Sequence, residues 1–302
     1  MQATVRNSRS LKSFNIGRAI SWTVLIILIF ISIFPIWVAL KTALSDRQEI
    51  FAHASDLLPT GLTTFNFERA LGIIAPNDPR IALSSGGNLN ILVALRNSVL
   101  FVAACVFGQI FFSSMAAYAF ARLRFPGRNI LFIFILSAMM IPGIVLFIPN
   151  FILIKELGWL NTFQGMIAPY VLMTPFAVFF LRQFFLSIPV ELEEAARLDG
   201  ASPMMIFFRI VLPLSRGPIS TLGILTSINL WNEFFWPYLI TNDENLRVLP
   251  VALLIFRQQQ PSGPPDWTGI MSGTFLSVIP VFLLLVFLGR QVVESLQFSG
   301  SK

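Results

Sequence analysis

Residues 187–213 hold the densest set of polar and helix-breaking side chains whose chemistry can be inferred from their spacing. Pro189 suits the first turn of a helix, because the N–H that proline lacks has no partner there in any case. Three carboxylates follow near the positive end of this helix: Glu191, Glu193 and Glu194. Gly200 is typical of a helix end, and Ser202 is a preferred cap for the next helix. The stretch therefore predicts two short helices with a bend at Gly200.

The second of these helices, between Pro203 and Pro213, is predicted to be apolar, which is unusual for a loop that connects two hydrophobic runs. It includes five large apolar residues in a row: Met204, Met205, Ile206, Phe207 and Phe208. A surface of this kind is rarely left in water. It can pack on its own helix ends, lie at a membrane interface, or enter a groove on a partner protein, as amphipathic helices do. The residues by themselves leave interfacial burial and partner docking open.

The pair Asn232 and Glu233 interrupts another apolar run. A charge at the centre of a membrane helix costs about 2.5–3.5 kcal/mol, so such a carboxylate faces a protein interior or a cavity, or reaches water at the interface. A Glu233 that faces a protein interior or a cavity could contact a solute on a translocation path. A Glu233 that reaches water at the membrane interface is favoured, because this location avoids the free-energy cost of a charge inside the membrane. Three aromatic neighbours could stack on a sugar, although interfacial anchoring is their favoured role: Trp231, Phe235 and Trp236.

Arrangements typical of catalysis or cofactor binding are missing from the sequence. It contains no Gly-x-x-x-x-Gly-Lys-Ser/Thr phosphate loop, so no nucleotide site is predicted. His53 is the single histidine and is interpreted as a solvated side chain in a loop. Cys105 is the single cysteine, which excludes an internal disulfide and a cysteine-rich metal site. We therefore predict no catalytic residue, no metal and no cofactor bound by this chain.

The composition indicates that lipid surrounds most of the chain. Of its 302 residues, 55% are hydrophobic and 12% are charged, which is about half the charged fraction of a soluble protein. The net charge is +6, but the basic residues lie beside apolar runs. This pattern is typical of membrane topology rather than of nucleic-acid binding.

Six apolar runs approach or exceed the roughly 20 residues that cross a bilayer as a helix. They are 19–40, 97–121, 129–154, 157–181, a run that begins near Gly217 and contains Glu233, and 267–289. The first run has 22 residues, which is longer than the apolar part of a signal peptide, so it is predicted to be a retained helix. The predicted fold class is all-α, a polytopic membrane protein with six transmembrane helices.

The distribution of Lys and Arg predicts the orientation, because short cytoplasmic connections are rich in both. Seven basic residues lie before the first run or between the second and third: Arg6, Arg9, Lys12, Arg18, Arg122, Arg124 and Arg128. Both termini, 1–18 and 290–302, and the 187–213 connection are therefore predicted to be cytoplasmic. Segments 41–96 and 243–266 are predicted to be external. The core transmembrane domain is predicted to span 97–289.

The 187–213 connection resembles the EAA loop of binding-protein-dependent ABC importer permeases. The residues that carry the resemblance are Glu194-Ala195-Ala196, Asp199-Gly200-Ala201, Phe207, Ile210 and Leu212-Pro213. Other segments resemble the carbohydrate branch, the maltose-type permeases: Asn97-Ser98, 116–128, Ile148-Pro149, 157–162 and 231–234. The resemblance extends from the first apolar run to about Glu294, and the first external segment is longer than is usual there.

The resemblance implies the type I permease fold and a loop that forms the coupling helix, which docks into a cleft on a separate ATPase. It assigns docking to Glu194, Ala195, Ala196, Asp199, Gly200, Ala201, Met204, Met205, Phe207, Phe208 and Pro213. Glu194 would pair with a basic group on the ATPase, Gly200 would make the bend, and Met204 to Phe208 would fill the cleft. ATP and Mg²⁺ would be bound by the ATPase and not by this chain.

The resemblance also implies the partners and the location. We expect a second permease subunit that is a related but different chain, two cytoplasmic ATPase subunits and an extracytoplasmic solute-binding protein, in the inner membrane of a bacterial cell. The solute would be a sugar, an oligosaccharide, a polyol or a glycerol-phosphate-like compound. The sequence leaves a heterodimer or a homodimer open, as it does direct contact of this chain with the solute.

Two other classes of membrane protein fit the sequence less well. An ion-coupled secondary transporter or channel subunit usually has carboxylates or broken helices near the bilayer midplane, whereas these runs lack charge except Glu233 and show no inverted repeat. A membrane-embedded enzyme would show clustered catalytic residues, which do not occur. Neither class needs a loop like that from Glu194 to Pro213, so this loop favours the importer.

Overall fold

The computed structural model describes residues 16–74, 78–80, 90–258 and 265–298, and the side chains of all of these except 16 and 290–298. Most of the predicted N-terminal segment 1–18 and the end of the predicted tail 290–302 lie outside the described residues. The regular secondary structure of the described part is helical, without a strand. The predicted all-α class is confirmed.

The helices are numbered here in chain order. They are α1 (Ile16–Ala43), α2 (Phe65–Ala70), α3 (Ile91–Arg122), α4 (Arg128–Met140), α5 (Gly143–Glu156), α6 (Phe163–Ile167), α7 (Pro175–Ser187), α8 (Val190–Leu198), α9 (Pro203–Leu214), α10 (Arg216–Trp231), α11 (Phe235–Ile240), α12 (Leu249–Gln258) and α13 (Trp267–Phe298).

The number of spans agrees with the sequence, although their shapes do not. Among the described residues, α1, α3 and the first 23 residues of α13 are each long and apolar enough to cross a membrane alone. Three bent pairs bring the total to six if each pair is one span: α4 with α5, α7 with α8, and α9 with α10. The molecule is therefore a membrane protein with three uninterrupted candidate spans and three bent helix pairs among the described residues.

The third predicted span, 129–154, is not one straight helix. It bends by 96° between α4 and α5. Ile141 at the bend is extended, with a ψ of 118°, because a residue before proline avoids the helical region. Pro142 adds to the break because it lacks an N–H donor.

The fourth predicted span, 157–181, is wrong as a continuous helix. Gly158 and Asn161 near its start have φ angles of 69° and 54°, which end α5 and turn the chain. After the short α6 the backbone is irregular until α7 begins at Pro175. Pro169 lies in this irregular part, and a proline ring clashes with the preceding helical turn.

Helix α3 is the central element, and different segments of the chain contact its two ends. Its 32 residues give a length of about 48 Å. Near its start the Asn97 side chain donates to the carbonyl oxygens of Asn245 and Arg247, at 2.7 and 3.0 Å. At its other end the Arg122 side chain donates to the carbonyl of Phe185, at 2.7 Å. The 241–258 segment and the 187–216 segment therefore lie at opposite ends of α3.

Two apolar cores flank α3 at these ends. Near Arg122 the core contains residues of α3, α7, α9 and α10: Ala117, Tyr118, Leu181, Phe185, Ile206, Phe207, Val211 and Leu222. Near Asn97 it contains residues of α3, α5, α6, α10, α11 and α12: Phe101, Cys105, Ile154, Met166, Leu230, Trp236, Ile240 and Val251. Helix α1 packs on α13 and exposes almost all of its other side chains, as expected for a lipid-facing helix.

The first part of the predicted external segment 41–96 is anchored to the helices beside it. The Asn66 side chain donates to the carbonyls of Ala43 and Ser45, at 2.9 and 3.0 Å. Arg69 of α2 forms an ion pair with Asp266, which precedes α13, and both side chains are at most 3% exposed. This network holds α2 against the ends of α1 and α13.

We expect the substitution Arg69→Met to destabilise the protein by about 3–5 kcal/mol, because it leaves the Asp266 carboxylate buried without its partner. The measurement is the midpoint of thermal unfolding in detergent. The control is Arg80→Met, which breaks the Arg80–Asp78 pair, whose arginine side chain is 57% exposed, and it should change the midpoint little. Equal midpoints for the two variants would contradict a structural role for the buried pair.

Candidate functional site

The 187–213 connection folds as the two predicted short helices, α8 and α9. Between them Gly200 has a φ of 82°, a left-handed conformation that glycine adopts without steric cost. The N–H of Ala201 bonds back to the carbonyl of Ala196, at 2.9 Å, which closes the end of α8. The Ser202 hydroxyl accepts from the N–H of Met205, at 3.3 Å, and caps α9. The predicted bend at Gly200 is confirmed. It is formed by the backbone angle of Gly200 and by hydrogen bonds between residues close to it in the sequence.

The predicted docking residues divide between an exposed and a buried face. Met204, Met205 and Phe208 are exposed, and Leu198 beside the bend is 90% exposed. Phe207 is only 1% exposed, because α9 places it against Tyr118 of α3, with the ring centroids 5.2 Å apart. The expectation that the whole run from Met204 to Phe208 fills a cleft on a partner is corrected for Ile206 and Phe207, which are both buried and support α9 from behind.

Four exposed side chains of the predicted docking residues, together with Leu198, are called the docking surface below: Leu198, Met204, Met205, Phe208 and Glu194. The remaining predicted residues frame it. Ala195, Asp199 and Gly200 are exposed, and Ala196 and Ala201 are half-buried. Pro213 is half-buried in the last turn of α9, one residue before the helix ends at a 76° bend into α10. A π-helical turn over Phe207–Val211 precedes it, as is common where a helix is interrupted.

Glu193 differs from its neighbours in a way that the sequence did not predict. Its side chain is 1% exposed and its Oε1 lies 2.8 Å from Nε of Arg122. The sequence grouped it with Glu191 and Glu194 as one of three carboxylates at a helix start, and both of these are exposed. A helical period of 3.6 residues separates adjacent residues by about 100°, so only one of the neighbours Glu193 and Glu194 can face α3.

Asn232 and Glu233 lie at an interruption between α10 and α11 and not inside a continuous helix. The Asn232 side chain is exposed, and its Nδ2 donates to the carbonyl of Ile228, at 2.7 Å. The half-buried Glu233 carboxylate accepts from the N–H of Trp236, at 3.2 Å, and so caps α11. Tyr170 packs against the same apolar core as Trp236.

Three interrupted helices meet at this place. The ring of Phe147 in α5 contacts the ring of Phe235 in α11, with centroids 4.8 Å apart. The indole of Trp236 donates to the carbonyl of Gly165 in α6, at 3.2 Å. Tyr170 belongs to the irregular stretch before α7. Irregular backbone occurs at membrane depth only where it is buried in protein or lines a water-filled cavity, so this junction is a place where polar groups can be accommodated.

The aromatic residues around the junction are not all interfacial anchors. Trp236 is 1% exposed and lies in the core, so the favoured anchoring role is wrong for it. Trp231 is half-buried and its indole donates to the carbonyl of Ser277 in α13, at 3.2 Å. Phe235 stays exposed. Burial of a tryptophan whose N–H is satisfied is a packing role.

A groove of about 820 Å³ runs between α3, α10 and α13. It extends along α10 from Arg216, beside the bend that follows α9, to Trp231, beside the Asn232–Glu233 interruption. Most of its lining is apolar, and three hydroxyl side chains interrupt it: Ser114, Ser220 and Ser227. The groove therefore connects the two parts of the molecule that the sequence singled out.

The single histidine and the single cysteine have no partner that suggests catalysis or metal binding among the described residues. His53 is exposed, with Nδ1 3.1 Å from the Asp56 carboxylate, and Cys105 is buried. Within the described residues, no three His, Cys, Asp or Glu side chains come together as a metal site would require.

Comparisons with known proteins place these features in context. Residues 109–297 match the family described as binding-protein-dependent transport system inner membrane component. The chain is 33% identical to the sn-glycerol-3-phosphate transport system permease protein UgpE of Pectobacterium atrosepticum over 97% of this chain and 98% of that protein. It is 35% identical to the arabinooligosaccharides transport system permease protein AraQ of Halalkalibacterium halodurans over 68% of this chain and 72% of that protein.

A solved structure supports the fold. One chain of a bacterial ABC transporter involved in the import of the acidic polysaccharide alginate superposes with a TM-score of 0.74, at 23% identity. The match covers 95% of this chain and 99% of that one. The family match at 109–297 includes both the α8–α9 connection and the Asn232–Glu233 interruption.

Proposed function

Because the chain belongs to the binding-protein-dependent transport system inner membrane components and is a permease subunit of an ABC importer, we propose that it forms half of the path for a sugar or sugar-like solute. It is a transport subunit and not an enzyme. The resemblance seen in the sequence is thereby confirmed at the level of the family. Family membership alone leaves the partners, the path and the solute of this chain open, and each is proposed from a particular surface or contact.

The exposed docking surface on α8 and α9 is the observation that carries the proposal. Four large apolar side chains project from an element held in place from behind by Phe207 and Ile206, both fully buried. An apolar surface on a rigid support suits insertion into a groove on a protein. We assign this groove to a cytoplasmic ATPase subunit, which binds ATP and Mg²⁺ in place of this chain. The exposed Glu194 would pair with a basic side chain at its rim.

The broken span formed by α4 and α5 supports a second permease subunit. Ile141 at the break is 50% exposed in this chain and Met140 is 84% exposed. Backbone of this irregular kind does not face lipid, because the unpaired polar groups would cost several kcal/mol each. A second, related permease that covers the break would remove the cost, and the two chains would enclose the path between them. We expect the partner to be a different chain, so that the pair is a heterodimer.

The orientation of the chain follows from the charges at the docking end. Arg124, Arg128, Arg209 and Arg216 all lie at this end, near the α8–α9 connection, which is cytoplasmic if short basic connections stay inside. Both termini are then cytoplasmic as well. The 44–74 and 241–258 segments face outward, where the solute-binding protein delivers its cargo. The ordered anchoring of α2 gives that protein a firm surface to contact.

The proposed solute class rests on two relatives and on the junction of broken helices. The relatives are named as transport systems for sn-glycerol-3-phosphate and for arabinooligosaccharides. Both of these solutes carry several hydroxyl groups. At the junction the exposed Asn232 amide and the Glu233 carboxylate supply donors and acceptors that such solutes need.

We expect the substitution Glu233→Gln to raise the KM of solute uptake about 2- to 10-fold, the loss of one hydrogen bond of about 0.5–1.5 kcal/mol. The amide oxygen still accepts from the N–H of Trp236, so the cap of α11 and the fold are kept. Uptake of labelled solute into proteoliposomes measures the effect, and ATP hydrolysis without solute should not change. An unchanged KM for both Glu233→Gln and Asn232→Leu would exclude these residues from the path.

The whole proposal is tested by reconstituting the chain with an ATPase, a second permease and a solute-binding protein from its own source cell. ATP-dependent uptake of one solute from a panel of sugars, oligosaccharides, polyols and glycerol phosphates is the expected result. Uptake by this chain alone, driven by an ion gradient and insensitive to ATP, would replace the importer with a secondary transporter or channel.

A further inference from the structure

One arginine joins three helices behind the docking surface. Arg122, the last residue of α3, has a side chain that is 10% exposed. Its Nη2 donates to the carbonyl of Phe185, at 2.7 Å, and to the carbonyl of Ile188. Its Nε lies 2.8 Å from Oε1 of Glu193 in the first turn of α8. The guanidinium therefore sits inside the 76° bend between α7 and α8.

The two carbonyl oxygens belong to the end of α7. The last carbonyls of a helix have no partner in the helix itself, and a cation at this end is favoured by the helix dipole. Arg122 supplies both the donors and the charge. The end of α7 is thereby fixed to the end of α3.

The carboxylate fixes the start of α8 to the same point. Glu193 is buried, and a buried carboxylate requires a charged partner. Arg122 is the near partner, and Arg197 on the next turn of α8 is 3.7 Å away and half-exposed. Glu193 thus faces α3, while its neighbour Glu194 faces outward.

We propose that Arg122 and Glu193 are positioning residues for energy coupling, which lock α8 to α3 and α7 so that a force on the docking surface moves α3. The inference rests on the proposed function, because it assumes that an ATPase pushes on that surface. Helix α3 lines the groove from Val99 to Ser114, so its displacement would move one wall of this groove. Without the lock, α8 could follow the ATPase while α3 stays in place.

The variant Glu193→Gln distinguishes a role in coupling from a role in ATPase binding. It keeps the volume of the side chain and removes the charge that holds α8. In the reconstituted transporter we expect ATPase binding within twofold of wild type. Solute transported per ATP hydrolysed should fall at least fivefold. The matched control is Arg197→Gln, which removes the exposed partner of the same carboxylate and should keep the wild-type ratio.

A second variant covers the case in which Glu193→Gln does not accumulate in the membrane. Arg122→Lys keeps a positive charge but replaces the wide planar fork of the guanidinium, whose Nη2 serves the two carbonyls while its Nε faces the carboxylate, with one compact ammonium group, and it should lower the same ratio. A wild-type ratio in either variant would overturn the inference, as would a parallel loss of ATPase binding, since the pair would then only shape the docking surface. Failure of the wild-type chain to bind any ATPase would instead overturn the proposed function.

Discussion

The substitution Phe208→Asp is expected to weaken ATPase binding by about 30-fold or more while the permease stays folded in the membrane. Central apolar anchors of an interface contribute at least about 2 kcal/mol each, and each 1.4 kcal/mol is a factor of ten in the dissociation constant. Phe208 is 47% exposed in the isolated chain, so aspartate at this position meets water in the free permease. The cost arises only in the complex, where the charge would be buried.

Pull-down of the ATPase by the purified, tagged permease measures this loss. The control is Phe208→Leu, which keeps an apolar side chain and should retain most of the affinity. Glu194→Lys reverses the one charge of the docking surface and should uncouple ATP hydrolysis from uptake. Wild-type binding by Phe208→Asp together with normal uptake by Glu194→Lys would show that the ATPase docks elsewhere.

The substitution Gly200→Pro is expected to abolish solute uptake although the chain still inserts. Proline fixes φ near −65°, whereas Gly200 has a φ of 82°, and the N–H of Gly200 also donates to the carbonyl of Arg197, at 3.0 Å. The variant therefore loses both the turn and a hydrogen bond. The apolar side chains of α9 would no longer be aligned with Leu198 at the end of α8.

Two further variants separate the effect of the backbone from the effect of added volume. A Cβ at Gly200 meets no atom within 4 Å, so only the left-handed conformation limits the substitution. Gly200→Val should lose most of the uptake, since this conformation costs an ordinary residue about 1–2 kcal/mol. Gly200→Asn should retain much of it, because asparagine tolerates the conformation. Equal uptake by the valine and asparagine variants, measured at matched protein level, would refute the role of the bend.

Several features of the site were predictable because their causes lie within a few residues. Pro189, Gly200, Ser202 and Pro203 act through local hydrogen bonds and backbone angles, and the two short helices they predict are present. The apolar runs likewise determine the membrane class and the approximate number of spans, since lipid requires long apolar helices.

Features that depend on contacts between distant segments were not predictable. The sequence shows three similar carboxylates at the start of α8, and only the packing of α8 against α3 decides that Glu193 is buried against Arg122, 71 positions earlier, while Glu194 is exposed. Phe207 and Phe208 are adjacent in the sequence, yet Tyr118 covers only the first. Whether Trp236 is an anchor or a core residue depends on the carbonyl of Gly165.

The junction of broken helices shows the same division. Pro142, Pro169 and the polar pair at 232–233 each mark an interruption in the sequence, because each disturbs the local helical hydrogen bonds. That α5 and α6 come together with the 232–233 interruption, beside Phe147 and Trp236, follows only from how the helices pack. The sequence alone determined the membrane class, the approximate number of spans and the bend, which depend on lipid and on local backbone chemistry. The tertiary structure decided which side chains face α3, the surface or the junction, because that depends on which helix faces lie against each other.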